Sequence, residues 1–166
     1  NVLVCHRRFG KTVCMINHLI RSALISKQKN PRFAYIAPTF KQAKSIAWDY
    51  MKQFTAKIPH TKFNETELRV DLPNGSRITL LGSENSDGLR GIYLDGCVID
   101  EYANVNERLF PEIIRPALSD RKGYCVFIGT PQGMNNNFYE LYQHAQGAED
   151  WFNYKAKASQ TKIVDN

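Results

Sequence analysis

The chain has 166 residues, 43% of them hydrophobic and 23% charged, with a formal net charge of +6 at pH 7; these are the proportions of one ordinary globular domain, long enough to build a sizeable core. No apolar run is long enough to span a membrane, no signal-peptide pattern is present, and neither a low-complexity tract nor an internal repeat appears, so nothing indicates membrane or secretion. The charge is unevenly divided: residues 1–69 carry thirteen Lys/Arg against three acids, and residues 70–166 carry nine against thirteen. A basic first part suits polyphosphate, nucleic acid, or both as a partner.

The first element is an apolar β-type run, Val2-Leu3-Val4, followed by a short polar and basic turn and then Gly10-Lys11-Thr12 at the start of a helical pattern. Strand, loop and helix in that order make a phosphate-binding loop, residues Cys5, His6, Arg7, Arg8, Phe9, Gly10, Lys11 and Thr12, with the anion held at the helix N-terminus. Gly10 allows close backbone approach, Lys11 can reach the β- and γ-phosphates, and Thr12 can ligate Mg²⁺. The consensus glycine at the loop's first position is replaced by Cys5. The chain starts directly in this strand, without Met, and so reads as a fragment of a longer protein.

Helical spacing of Val13, Ile16, Leu19/Ile20 and Ala23/Leu24 predicts a helix over 11–27, and Asn30-Pro31 punctuates it. Residues 32–37 form a short apolar strand of the kind a parallel sheet buries on both faces. A helix follows from Phe40, with Ala43, Ile46/Ala47, Tyr50/Met51 and Phe54 as its core stripe and Lys41, Lys44, Lys52 and Lys57 off it. Alternating apolar residues around Pro73-Asn74-Gly75-Ser76 predict a β-hairpin with arms 66–72 and 77–81. After a glycine-flanked loop at 82–91, the buried strand Gly96-Cys97-Val98-Ile99 runs into Asp100-Glu101. Pro111 and Pro116 break the next apolar pattern into short helical pieces. A strand over 123–129 ends at Thr130-Pro131, a helix over 137–146 turns Phe138, Leu141 and Tyr142 inward, and 152–158 is a last strand. The four cysteines (Cys5, Cys14, Cys97, Cys125) contain no CxxC pair and read as reduced, buried thiols. The four histidines are dispersed, without metal-ligand spacing.

Strands alternating with helices give an α/β domain with a mainly parallel sheet and ligands at the strand C-termini. Three strand ends then meet along one edge: the phosphate loop, Asp100-Glu101, and Thr130. Two adjacent carboxylates after a fully apolar strand are costly unless cations or donors meet them. Lys11 and Mg²⁺ fill that need. Hydrolysis of a phosphoanhydride requires a carboxylate to position the metal and another to orient water in line; Asp100 takes the first role and Glu101 the second. Charge developing on the γ-phosphoryl oxygens calls for an arginine, worth about 10³–10⁵ in rate or about 4–7 kcal/mol. Arg7 and Arg8 in the loop and Arg90 ahead of the acidic pair are the candidates.

Taken in order, Arg7-x-x-Gly10-Lys11-Thr12, Ala37-Pro38-Thr39, Gly88-Leu89-Arg90-Gly91, Val98-Ile99-Asp100-Glu101-Tyr102-Ala103 and Gly129-Thr130-Pro131-Gln132-Gly133, followed by Phe138-Tyr139-Glu140-Leu141-Tyr142, resemble the ATPase domain of tailed-phage terminase large subunits. The resemblance covers nearly the whole chain. It implies a RecA-like (ASCE-type) P-loop NTPase fold with a β-hairpin insertion, ATP and Mg²⁺ as cofactors, and a motor that drives double-stranded DNA into a procapsid. By the same resemblance, Arg7 acts on ATP in cis, Arg90 reaches a neighbouring subunit's ATP in a homo-oligomeric ring, and Gly129, Thr130 and Pro131 couple hydrolysis to DNA movement. The implied partners are DNA, the portal protein and the terminase small subunit, met in the host cell cytoplasm at the portal vertex, with no membrane involved. The whole of 1–166 is then one ATPase domain, with an adenine-contacting motif expected upstream and a nuclease domain downstream. Two other readings share some of these motifs: a superfamily 2 helicase or translocase core, which would need a second RecA-like lobe, and a non-catalytic nucleotide-binding scaffold, against which the intact Lys11/Thr12/Asp100/Glu101 set argues.

Overall fold

A computed structural model describes residues 1–161. Its elements are β1 (Val2–Cys5), α1 (Lys11–Ile25), β2 (Arg32–Ala37), α2 (Phe40–Ala43), a π turn (Lys44–Trp48), α3 (Asp49–Thr55), β3 (Lys62–Asn64), β4 (Arg69–Asp71) and β5 (Arg77–Gly82). Then come 3₁₀ turns (Ser83–Leu89), β6 (Gly96–Ile99), a 3₁₀ turn (Tyr102–Asn104), a second π turn (Phe110–Ile114), α4 (Arg115–Ser119), β7 (Tyr124–Gly129), α5 (Asn137–Gly147), β8 (Asn153–Ala156) and α6 (Ala158–Thr161). All eight strands join one sheet in the order β3-β4-β5-β2-β6-β7-β1-β8. From β5 to β8 every pairing is parallel, and β3 and β4 add an antiparallel edge.

The central strands are apolar on both sides because both sides are covered. Phe33, Tyr35, Val98, Val126 and Ile128 face one core with Ile16, Leu19 and Ala23 of α1 and Trp48 and Met51 of the next helical stretch. Ala34, Ile36, Cys97, Ile99 and Phe127 face the other, with Leu109, Ile114, Leu118 and Phe138. Each fully buried aliphatic or aromatic side chain is worth about 1.5–3 kcal/mol. Those in β6, β7 and β1 therefore fix the three strands whose ends carry the polar groups.

Several expected boundaries move, each for a local reason. The helix expected to start at Phe40 does so, its first turn closed by a capping box between Thr39 and Gln42. Its π turn inserts an extra residue and shifts the helical phase, so Ala47 and Trp48 are buried while Ile46 and Tyr50 are exposed. The arm expected over 66–72 is shorter. Asn64 Oδ1 accepts from the N–H groups of Thr66 and Glu67, making an Asx-type turn, and β3 and β4 form a second antiparallel pair around it. Pro111 and Pro116 do not separate the helical pieces, since the π turn runs straight into α4. The last strand is limited to Asn153–Ala156, with Ala158 already starting α6. Of the four cysteines, Cys14 is exposed; Cys97 and Cys125 lie side by side as free thiols, Sγ to Sγ 3.4 Å.

Helix α1 stops at Ile25, two residues before the expected end, and the turn of the β4–β5 hairpin meets that end. Asn74 Nδ2 donates to the carbonyls of Ala23 (2.9 Å) and Leu24 (3.2 Å), and the buried Ser76 hydroxyl donates to Ala23 at 2.7 Å. Carbonyls in a helix's last turn have no intrahelical partner; here the hairpin supplies one. Ser76→Ala should lower stability by about 1 kcal/mol, the net worth of a buried hydrogen bond, as measured by urea denaturation.

Candidate functional site

Strands β6, β7 and β1 are consecutive in the sheet, so their C-terminal ends lie side by side. Cys5, in the slot where glycine was expected, is the last residue of β1: it pairs with Ala156 of β8, and its side chain is buried. An extended strand residue needs no glycine, which accounts for the substitution. The left-handed residues come later, Arg8 at φ 62° and Gly10 at φ 83°. Left-handed positions two apart turn successive N–H groups toward one point, as in an anion nest. A Cβ at Gly10 would meet nothing within 4 Å, so the glycine serves the backbone conformation rather than making room. The loop is braced by Phe9, which lies edge-on to His6 and against Tyr154. Helix α1 then begins at Lys11 with no acidic residue in its first turn and no side-chain cap, leaving its positive end available to an anion.

Five of the residues singled out in the sequence converge here. Lys11 Nζ donates to Thr130 Oγ1 at 3.2 Å and lies 3.9 Å from Glu101 Oε1, with only 11% of its side chain exposed. Thr12 Oγ1 donates to Asp100 Oδ2 at 3.2 Å. Asp100 is 3% exposed, its Oδ1 accepts from the Glu101 N–H at 2.8 Å, and its own N–H donates to Ile36 of β2. Gly129 sets the tip of β7 against α5, because a Cβ there would come within 2.9 Å of the Phe138 ring. Thr130 therefore emerges from a fixed point toward Lys11.

Glu101 is held in a left-handed conformation, φ 48°, at the start of the 3₁₀ turn 102–104. Such a backbone costs a non-glycine residue on the order of 1–2 kcal/mol. Partial burial, then the neighbouring Asp100, push its carboxyl above the usual range, while Lys11 and Arg7 pull the other way. Arg7 is thus an exposed loop residue whose charge acts on Glu101. Arg8 is exposed on the same loop. Arg90 sits on another loop, before Gly91 at φ 84°, with its side chain 57% exposed and Nη2 3.6 Å from Glu112 Oε2.

Two further polar groups were not anticipated. Tyr35, fully buried in β2, donates its hydroxyl to Asp100 Oδ2, the oxygen that Thr12 also reaches. Burial and the adjacent carboxylate raise its pKa strongly. The signal for it was present: a hydroxyl in a strand covered on both faces must find a partner. Gln132 Nε2, beyond the β7 tip, lies 3.5 Å from Glu101 Oε2. Among the described residues no group of three or more His, Cys, Asp or Glu could hold a metal alone. Thr12 and Asp100 do offer two hard oxygens 3.2 Å apart, a donor set that fits Mg²⁺ whose remaining ligands are water and phosphate.

The family model described as "Terminase large subunit, T4likevirus-type, N-terminal" matches residues 4–163. The terminase large subunit of Thermus phage G20c is 29% identical over 126 residues, covering 64% of this chain and 26% of that protein, so the chain spans about a quarter of its curated relative's length. Among solved structures, a mutant of the large terminase ATPase domain of Thermus phage P74-26 superposes with a TM-score of 0.77 at 22% identity, covering 95% of this chain and 75% of that one. The large terminase of another thermophilic bacteriophage, in complex with ATP-gamma-S, gives a TM-score of 0.78 at 15% identity, covering 99% and 41%. At such identities the structures speak for the fold, and they agree with the RecA-like sheet described above.

The raised pKa of Glu101 carries a stability consequence. A carboxyl whose folded pKa exceeds its unfolded value of 4.5 favours folding in its protonated form, and that contribution is lost as pH rises through the folded pKa. In metal-free, nucleotide-free buffer, Glu101→Gln should therefore be more stable than wild type at pH 7. The gap should narrow as pH falls toward 4.5, in parallel urea titrations across pH.

Proposed function

Since the chain belongs to the family of T4-like-virus-type terminase large subunits, whose N-terminal part it matches, we propose that it binds and hydrolyses ATP to drive double-stranded viral DNA into a procapsid. One observation carries the reading: Lys11, Thr12, Asp100 and Glu101, separated by nearly ninety residues, meet at the mouth of one anion-binding loop.

The chemistry follows from the groups present. The triphosphate seats on the N–H groups of residues 7–12, and Lys11 reaches its β- and γ-oxygens. Thr12 and Asp100 would hold Mg²⁺, which when bound would offset phosphate charge. Glu101 orients the attacking water, and its raised pKa brings it closer to the range in which a carboxylate accepts a proton at neutral pH. Arg7, an exposed residue of the same loop whose charge acts on Glu101, is the arginine offered to ATP in cis. Lys11 is bonded to Thr130. Moving onto phosphate gives up that bond, so the Gly129-Thr130-Pro131 strand end senses nucleotide occupancy directly and is suited to pass it on. Arg90, on an exposed loop, is the residue offered to a neighbouring subunit's ATP in a ring.

In this reading residues 1–166 form a single ATPase domain within a longer protein that also carries an adenine-contacting motif and a nuclease domain. The ring of subunits docks on the portal vertex in the host cell cytoplasm, with the terminase small subunit and DNA as partners. The intact protein should move duplex DNA in an ATP-dependent packaging assay with procapsids and should leave a tailed duplex unseparated. Strand separation without packaging would reject the motor in favour of a helicase.

Glu101→Gln in the intact protein should keep ATP affinity within about twofold, by equilibrium titration, while turnover falls by about 10²–10⁴, the usual worth of a positioned general base. Arg90→Ala should behave differently. Isolated monomers of wild type and variant should hydrolyse ATP at equal slow rates, and the assembled ring should lose about 10³-fold or more in rate. A defect already present in monomers would assign Arg90 a cis or structural role.

A further inference from the structure

Resting on the nucleotide reading above, we infer that Tyr35 is a positioning residue for the magnesium site, acting through Asp100. Asp100 has almost no contact with solvent, so its orientation is set by its hydrogen bonds. Its Oδ1 takes the Glu101 N–H, and its Oδ2 takes both Thr12 Oγ1 and the Tyr35 hydroxyl. Tyr35 is the only one of these three donors outside the acidic pair and the phosphate loop. It stands on β2, hydrogen-bonded to β6 in register Tyr35↔Val98, and is fully buried, so neither its backbone nor its ring has freedom to drift.

The division of labour follows from which donors nucleotide binding disturbs. Thr12 has one hydroxyl proton, and its oxygen is one that would serve a bound Mg²⁺. Glu101 sits on a strained backbone at the start of a short 3₁₀ turn. The Tyr35 hydroxyl alone comes from the rigid interior of the sheet, and it holds the Asp100 carboxyl in one rotamer. A partner that orients a metal-ligating carboxylate typically contributes 10–100-fold to metal affinity. Tyr35 itself touches neither nucleotide nor metal.

The test uses the intact protein and ADP as probe, titrated calorimetrically with Mg²⁺ and again in EDTA. For wild type, Mg²⁺ should tighten ADP binding. Tyr35→Phe removes one oxygen and should weaken ADP binding in Mg²⁺ by about 10-fold, with the EDTA affinity unchanged. In an Asp100→Asn background the same substitution should add nothing, since it acts through that carboxylate. Equal Mg²⁺ dependence in wild type and Tyr35→Phe overturns the inference while leaving the proposed function intact. So does a parallel loss with and without Mg²⁺, or a further loss in the Asp100→Asn background, either of which marks Tyr35 as merely structural. Should Tyr35→Phe not fold, Tyr35→Met, which has no hydroxyl and is flexible enough to fill the slot, decides in the same titrations, with the same outcomes. A wild-type protein whose ADP affinity ignores Mg²⁺ overturns the proposed function itself, and this inference with it.

Discussion

A carboxylate almost out of reach of water is the constraint around which the functional end of this sheet is built. Leaving Asp100 charged and unpaired at 3% exposure would cost several kcal/mol. Three donors prevent that, and each comes from a different part of the chain: the backbone of Glu101, the first turn of α1, and the middle of β2. Two of them, from Thr12 and Tyr35, lie far from Asp100 in the chain and cannot be supplied by the end of β6. The carboxylate is therefore stable only when β2, β6 and α1 are docked, which ties the assembly of the site to the assembly of the central fold.

Strand order does the rest. With β7 between β6 and β1, the Thr130 tip falls between the acidic pair and the phosphate loop. Lys11 can then touch both neighbours at once, Thr130 at 3.2 Å and Glu101 at 3.9 Å. At 3.9 Å the Lys11–Glu101 contact is a weak ion pair, and the lysine is not locked to its acid. A phosphate group can compete for the ammonium without first breaking a strong contact. The other end of α1 is also tied down, because the Asn74 and Ser76 side chains occupy its last carbonyls. The helix that presents Lys11 and Thr12 is thus held at both ends.

Much of this was legible in the sequence because it rests on patterns with a short range. Apolar runs of four to six residues ending in Asp100-Glu101 or Gly129-Thr130 announce buried parallel strands, and Gly10-Lys11-Thr12 after such a run announces the loop. What escaped notice depends on long-range contact. The π turn at 44–48 cannot be read from a 3.6-residue period, because its effect is to break that period, and only the burial of Trp48 reveals it. Strand β3, Lys62–Asn64, is three residues long and largely exposed, with no alternation to detect. Tyr35 looked like one more apolar residue of a buried strand, since its partner lies sixty-five positions away. The Cys5 substitution looked like a departure from pattern until β8 showed that its position belongs to a strand, where glycine has no advantage.

Glu101 shows why the site cannot be optimised for stability at the same time. Its backbone is left-handed, a conformation that glycine adopts freely and glutamate does not. Its carboxyl is half withdrawn from water beside a second carboxylate, with only a loosely paired lysine and an exposed arginine to offset the repulsion. A sequence selected for folding alone would place glycine or asparagine at this turn. What glutamate offers instead is a carboxyl just beyond the end of β6, facing the ammonium that a phosphate would displace, with the Gln132 amide 3.5 Å from its other oxygen. Strain and desolvation at one residue, beside an otherwise fully satisfied Asp100, suit the water-orienting role proposed for Glu101: a base kept near the acid proposed to hold the metal, without sharing its donors.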